Sequence, residues 1–286
     1  MDYPQMIARS IGVRPQQVGA TIELLDADNT LPFIARYRKE ATGGLDEEQL
    51  RQIVETLQKL RALDERRAAV LKSIEEQGLL SEELQAQILA AESMTALEDL
   101  YQPYKPKRRT RASIAKEKGL QGLADLLLKQ AQTGESLAKL AQPYLNEQVP
   151  DAEEAWAGAR DIVAETISDH PEVRRQTREK ALQWGSQRTE KTADADDPRK
   201  VYELYYDFEF RVDKLRPHQI LAINRGEADK VLKVKVEVPE RDWQGAIRSV
   251  FRPDSRSPLA GQMEEAIQDA AERLLLPAIE RDVRSS

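Results

Sequence analysis

The sequence has 286 residues, with 43 lysines and arginines against 50 aspartates and glutamates, a formal net charge of −7. It contains no cysteine, which excludes a disulfide framework, a thiolate zinc site and a cysteine nucleophile. Aromatic residues make up 5% of the chain, so the core must be built mainly from aliphatic side chains, which favours helices. No apolar run approaches the roughly 18 residues of a membrane span, and no signal peptide is evident. We therefore expect a soluble cytoplasmic protein.

Three short helices are predicted at the start of the chain. The first covers 4–12, the second lies within 14–28, and the third follows a cap at Asn29 or Thr30. Short helices joined by tight turns are compatible with a helix-turn-helix unit. That pattern is weakly specific, and ordinary helical packing is the alternative.

A long amphipathic helix is predicted from Asp46 to about Gln77, with apolar residues three or four positions apart. At ~1.5 Å per residue it spans roughly 45 Å, so we expect it to be the spine of this region. A further helix is predicted from Ser81 to about Glu92. Thr95, followed three residues later by Glu98, predicts a capping box for the next one.

The rest of the chain is mostly helical, with one clear strand. Helices are predicted over 121–131, 135–142, 151–169, 171–188, 217–226, 241–251 and 259–283. The segment 201–210 is rich in aromatics and fits a helix or a strand. Strict alternation in "VLKVKVEV" (231–238) predicts a strand, whose partners must come from the aromatic segment or from outside the chain.

These elements predict a mainly α fold: an elongated multi-helix N-terminal region with helix-turn-helix-like elements and a small α+β segment near the C-terminus. The polar segment 191–200 contains a proline and few apolar residues, so it is the best candidate for a linker. We therefore expect a helical region at 1–190 and a mixed region at 201–286.

The stretch "LYQPYKPKRRTRASIAKEKGL" (100–120) concentrates positive charge in an acidic chain. Its basic residues are Lys105, Lys107, Arg108, Arg109, Arg111, Lys116 and Lys118. Pro103 and Pro106 exclude a continuous helix, so "PYKPKRR" (103–109) should be extended, and Ser113 is expected to cap a short helix that ends at Gly119.

Two interpretations of this stretch are evenly balanced on chemistry alone. Its cations can bind a phosphate backbone while Tyr101 and Tyr104 stack on bases. Equally, the stretch can act as a structural strap that crosses an acidic helical surface and pairs with its carboxylates.

No catalytic motif is evident. His170 and His218 each neighbour a proline and are expected at helix starts, and "DADD" (194–197) lacks the glycine and glutamate of a calcium loop. We expect no enzyme activity, no cofactor and no metal site.

Three long phrases identify a family. "LPFIARYRKEATGGLDEEQLRQI", "LEDLYQPYKPKRRTRASIAKEKGL" and "LAINRGEADKVLKVKV" resemble the Tex family of bacterial transcription accessory proteins, over nearly the whole chain. The resemblance implies that this is the N-terminal part of a longer protein. An RNase H-like domain, helix-hairpin-helix motifs and an OB-fold RNA-binding domain are expected to follow residue 286.

The resemblance implies a scaffold that associates with RNA or DNA and with the transcription machinery. Binding is expected to be weak without the OB-fold. The expected contacts are the seven basic residues of 105–118, with Arg36, Arg38 and Lys39 as a second, weaker cluster. The alternative is a protein-interaction module that docks RNA polymerase or elongation components without touching nucleic acid.

Overall fold

A computed structural model describes residues 2–106 and 109–285. It is 67% helical with one small antiparallel sheet, which confirms the mainly α fold with an α+β segment near the C-terminus. The chain divides into two compact units, Met1–Leu97 and Glu98–Ser286. The segment predicted as a linker, 191–200, lies inside the second unit.

From residue 2 onward, the first unit contains five complete helices, which agree closely with the predicted ones. They are α1 (Tyr3–Ile11), α2 (Pro15–Asp26), α3 (Leu31–Tyr37), α4 (Glu47–Glu76) and α5 (Glu82–Ala90). A sixth helix, α6 (Met94–Tyr101), spans the division between the units.

Local chemistry explains where the long helix α4 begins. The Asp46 carboxylate accepts a hydrogen bond from the Gln49 amide, and the Gln49 side chain accepts one from the Asp46 amide. This reciprocal capping box satisfies two backbone donors that the first turn leaves without helical partners. The prediction for α6 was wrong at its cap, because Ser93, not Thr95, accepts the hydrogen bond from the Ala96 amide.

The core of the first unit lies among α1 to α4. It includes the fully buried Ile7, Val18, Ile34 and Ile53, one from each of these helices. The helix-turn-helix interpretation of this unit stays a prediction.

Within its described residues, the second unit contains nine further helices and three strands. They are α7 (Arg111–Glu117), α8 (Gln121–Leu128), α9 (Leu137–Ala141), α10 (Ala152–Asp169), α11 (Pro171–Trp184), β1 (Ser186–Lys191), β2 (Asp207–Arg211), α12 (Pro217–Ala228), β3 (Leu232–Glu237), α13 (Glu240–Phe251), α14 (Ala260–Asp269) and α15 (Leu276–Ser285). A π-helical segment, Ala270–Leu275, joins α14 to α15.

Helix α10 forms the centre of this unit. It packs against α7, α8, α11 and α14 and buries Trp156, Ile162, Val163 and Ile167. The Trp156 indole donates a hydrogen bond of 3.0 Å to the Leu137 carbonyl, so the ring fills the core without an unpaired donor.

The sheet differs from the prediction. The helix predicted over 171–188 ends at Trp184, and a strand begins at Ser186. Gly185 makes this exit possible, because a Cβ there would lie 2.3 Å from the Ala181 carbonyl oxygen. The strand order is β2–β1–β3, so the 231–238 strand pairs with β1 and not directly with the aromatic segment, which forms β2 on the far side.

Candidate nucleic-acid interface

The chain entering the basic stretch is fixed by a buried ionic network. The Asp99 carboxylate on α6 accepts hydrogen bonds of 2.8–2.9 Å from Arg174 and Arg178, which lie on one face of α11. Asp282 on α15 accepts from the same two guanidinium groups at 2.9 and 3.0 Å. The network therefore joins three helices just before the basic residues begin.

Burial makes this network structural. The side chains of Asp99, Arg174 and Arg178 are 7%, 10% and 12% exposed. Burial by itself lowers the pKa of Arg178, but hydrogen bonds and charges from Asp99 and Asp282 outweigh it and raise that pKa. Removal of one partner would leave a charge buried without compensation, which proteins rarely tolerate.

After α6 the chain first makes a tight turn. Gln102–Tyr104 form a 3-10 turn, so the prediction of an extended segment was wrong for Pro103 and Tyr104. Tyr101 is 7% exposed and therefore cannot stack on a base, and Tyr104 is half-buried. Lys105 lies 3.6 Å from the Glu98 carboxylate, and Lys107 and Arg108 lie outside the described residues.

The second part of the stretch is helix α7. Thr110 is its cap, not Ser113 as predicted, and the two residues exchange hydrogen bonds in a capping box. Ala112 and Ala115 face the core at the contact with α10. Gly158 on α10 allows this close packing, because a Cβ there would meet Leu120 at 2.4 Å.

The basic residues in and beside α7 are exposed or half-buried. Arg109, Arg111 and Lys116 are exposed, and Lys118 is half-buried. Arg109 pairs with Glu117 at 3.3 Å, with both side chains more than 60% exposed. In the part of the chain that is described, Arg111 and Lys116 form no ion pair.

Both interpretations of this stretch stay predictions. Lys105 meets the carboxylate of Glu98 on α6, Arg109 meets Glu117 within the stretch itself, and Arg111 and Lys116 form no ion pair among the described residues. Arg111 also lies near Asp161 on α10. Burial raises the pKa of Asp161, and the charges of Arg273 and Arg111 offset part of that effect.

The weaker predicted cluster lies in the first unit, at the end of α3. Arg36, Arg38 and Lys39 are all exposed. The Arg38 guanidinium lies 5.6 Å from the centroid of the Phe33 ring. Sequence reasoning found these cations but missed the aromatic rings beside them.

Sequence reasoning also missed the buried network. Asp99 is 75 residues from Arg174, and no motif links the two. The one available signal was the spacing of Arg174 and Arg178, four residues apart on α11, which places both on one helix face.

The two histidines lie at helix starts. His170 is the cap residue of α11, and burial lowers its pKa. Its ring packs edge-on against Phe251 at 5.5 Å between centroids, and its Nδ1 atom is buried without a hydrogen-bond partner among the described residues. His218 is exposed in the first turn of α12.

In residues 2–106 and 109–285, no group of three or more histidine, aspartate or glutamate side chains is placed to hold a metal ion. Across the same ranges, no helix combines the length and apolarity needed to cross a membrane.

Two segments of the chain match known protein families. Residues 1–75 match the Tex-like protein N-terminal domain, and residues 132–286 match the Tex central region-like family. The chain belongs to the Tex family, as its three phrases indicated.

Curated relatives extend well beyond this chain. A Bacillus subtilis protein named uncharacterized protein YdcI is 40% identical over 98% of the chain and 39% of its own length. The transcriptional accessory protein Tex of Neisseria gonorrhoeae is 46% identical over 85% of the chain and 32% of its own length. The human S1 RNA-binding domain-containing protein 1 is 31% identical over 99% of the chain and 30% of its own length. The chain thus spans between 30% and 39% of these relatives.

Proposed function

We propose that the chain is a scaffold of a transcription accessory protein that associates with nucleic acid through the phosphate backbone. The observation that carries this proposal is the exposed charge of α7. Arg111 and Lys116 project from a helix that is fixed at its packed face, in a protein with a net charge of −7.

The names of two relatives agree with this role. One is a transcriptional accessory protein, and another carries an S1 RNA-binding domain in its name. Because this chain covers about a third of each, those names describe proteins with much additional sequence. They support the proposal at the level of the whole protein.

The chemistry favours contacts to phosphate over readout of bases. Arg109 and Arg111 can pair with phosphate oxygens in a bidentate manner, and Lys116 adds a point charge. Tyr101 is too buried to stack, so the basic stretch itself offers no aromatic surface for bases beyond the half-buried Tyr104. Binding at this surface is therefore expected to be weak, salt-dependent and indifferent to sequence.

The experiment is a titration of the 286-residue chain against a fluorescent single-stranded oligonucleotide at increasing salt. The test variant replaces four exposed cations with glutamate: Lys105, Arg109, Arg111 and Lys116. The matched control reverses four exposed cations elsewhere: Lys59, Lys214, Lys233 and Arg241. We expect the test variant to lose up to about 3 from the slope of log K against log salt, since each phosphate contact on a single strand contributes ~0.7.

Equal losses in the two variants would show that overall charge, and not this surface, governs binding. No binding by the parental chain at low salt would contradict the proposal outright.

A second candidate is docking of RNA polymerase or another elongation component. The excess of carboxylates over cations favours a protein partner over broad contact with nucleic acid. Capture of polymerase from a bacterial lysate before and after nuclease treatment separates the two. An association that survives nuclease supports direct docking, and one that disappears supports nucleic acid as the bridge.

The proposed role is binding and not catalysis. Incubation of the purified chain with labelled RNA or DNA and divalent metal ions tests this point. Cleavage that copurifies with the chain would contradict it.

A further inference from the structure

Helix α3 presents two aromatic rings to solvent. Phe33 and Tyr37, four residues apart, lie on one face with ring centroids 5.3 Å apart and planes inclined by 45°. Phe33 is 37% exposed and Tyr37 is 67% exposed, whereas Ile34, next to Phe33 in the chain, is buried in the core of the first unit. Large exposed rings cost free energy in water, so this pair marks a surface suited to a partner.

Three cations lie beside these rings in the chain. Arg36, Arg38 and Lys39 are exposed, and none forms an ion pair within the described ranges. The Arg38 guanidinium lies 5.6 Å from the centroid of the Phe33 ring, within cation–π range. It therefore covers part of that ring. Tyr37 is the ring with the larger open area.

The backbone that carries the cations is held in one conformation. The Gly44 amide donates to the Lys39 carbonyl at 2.8 Å, and the Thr42 hydroxyl donates to the same carbonyl at 3.1 Å. The Gln17 side-chain amide of α2 donates to the Gly43 carbonyl at 2.9 Å. Gly43 and Gly44 have φ values of 65° and 84°, which glycine adopts without strain.

This closed turn reduces the entropy lost on binding. The main chain beside Arg38 and Lys39 is already ordered, so a partner needs to immobilise side chains alone.

We propose that the α3 surface, formed by Phe33, Arg36, Tyr37, Arg38 and Lys39, binds single-stranded nucleic acid. An unpaired base stacks on Tyr37, and the flanking phosphates pair with Arg36 and Lys39. This inference rests on the proposed association with nucleic acid and adds a second site to it, on the other unit and with different chemistry.

The exposed ring selects the class of partner. Base faces are covered in a duplex, so a duplex would satisfy the cations and leave Tyr37 unused. An acidic peptide would do the same. A single strand offers phosphates and open base faces together, which matches the combination of ring and cations on α3.

The test compares two probes with the same charge. A short fluorescent oligothymidylate carries bases, and an abasic oligomer of equal length carries the phosphates without them. We expect the parental chain to bind the oligothymidylate more tightly. Tyr37→Ala should weaken that binding at least about fivefold and leave the abasic oligomer unaffected, because stacking contributes ~1–3 kcal/mol per base.

Two further variants control for folding and for generic aromatic contacts. Tyr37→Trp keeps a stacking surface and should retain the affinity. Trp184→Ala removes an aromatic ring on the other unit, 46% exposed and with Arg211 5.1 Å from its centroid, and should have no effect. Helix content by circular dichroism checks that each variant is folded.

Three results would overturn the inference. Tyr37→Ala could bind oligothymidylate as tightly as the parental chain, or the abasic oligomer could bind as tightly as the oligothymidylate. Polyglutamate could instead displace the oligomer through Arg36 and Lys39 with no dependence on Tyr37. In each case binding persists, so the function proposed for the whole chain stands and the α3 site alone falls. Absence of binding to both probes overturns both.

Discussion

The second unit uses its arginines in two contrasting ways. Arg174 and Arg178 are buried on α11 and share the carboxylates of Asp99 and Asp282. Arg109 and Arg111 are exposed at the start of α7, where one pairs loosely with Glu117 and the other is open. The described arginines of the basic stretch are thus exposed, whereas the arginines that hold the fold together lie in α11, outside that stretch.

The difference teaches that burial, and not local charge density, decides what an arginine does. A buried guanidinium depends on its partner because the interior cannot solvate it. An exposed guanidinium can exchange one partner for another, whether water, carboxylate or phosphate, at a small cost in free energy. The four predictions below sharpen this contrast, from the largest expected change to the smallest.

The largest effect is expected from Asp99→Ala, which leaves two buried guanidinium groups without their main acceptor. We expect the free energy of unfolding to fall by about 3–5 kcal/mol. Urea denaturation followed by circular dichroism measures it. A change as small as that of an exposed pair would contradict the structural role given to this network.

The second prediction concerns the platform beneath the exposed cations. In Gly158→Ala the new Cβ would lie 2.4 Å from Leu120 and 3.3 Å from Ala115, so α7 or its neighbours must shift. We expect the free energy of unfolding to fall by about 1–3 kcal/mol, because the added methyl group overpacks the core.

Gly245→Ala is the matched control for this change. Gly245 lies inside α13, and a Cβ there meets nothing within 4 Å. The free energy of unfolding of that variant should rise by about 0.5–1 kcal/mol, since alanine favours helices more than glycine does. Equal effects at the two positions would show that the contact between α7 and α10 is looser than the structure indicates.

The third prediction is a pH dependence at His170. Burial lowers its pKa in the folded state, with Glu172 opposing, so the unfolded chain binds the proton more tightly. The stability that neutral His170 provides is complete above the unfolded pKa of about 6.5 and declines as the pH falls below it.

His170→Gln should reduce this part of the acid loss. Unfolding free energies of both proteins, measured on either side of pH ~6.5, give the difference. His218→Gln changes an exposed histidine and should leave the pH dependence as it is in the parental chain. Parallel pH profiles for the parental chain and His170→Gln would contradict the prediction.

The smallest effect is expected at the exposed pair. Glu117→Gln removes the partner of Arg109, whose side chain is 72% exposed, so the free energy of unfolding should change by about 0–1 kcal/mol. The same variant should bind single strands slightly more tightly, because Arg109 becomes available to phosphate. Unfolding and binding titrations on one preparation test both statements. A large loss of stability would make the α7 surface a strap instead of a binding face.

Much of the fold follows from short-range signals. The reciprocal hydrogen bonds of Asp46 and Gln49 fixed the start of α4, and Gly12, with a φ of 77°, ends α1 as expected. Such signals act over three or four residues, so the sequence displays them openly. The predicted cap of α7, Ser113, lies three residues after the observed cap, Thr110. The two residues exchange hydrogen bonds in a capping box, and both are residue types that cap helices.

Strand β1 of the sheet could not be predicted from short-range signals. Strand β1 reads "SQRTEK", with no apolar alternation, and its buried Gln187 and Thr189 gain their burial from β2 and β3. A polar strand at the centre of a sheet has no sequence pattern of its own. The predicted helix over 171–188 and the predicted linker over 191–200 therefore overlap its two ends.

By itself the sequence determined the family, the helical class and the position of the basic residues, because these depend on composition and on neighbours along the chain. Tertiary structure decided the place of β1, the partners of Asp99 and which cations face water. Those outcomes depend on contacts such as that of Asp99 with Arg174, 75 residues apart, whose strength comes from the burial that folding creates. Folding also buries Tyr101, which excludes it from the candidate interface, and leaves Tyr37 exposed beside Arg36, Arg38 and Lys39.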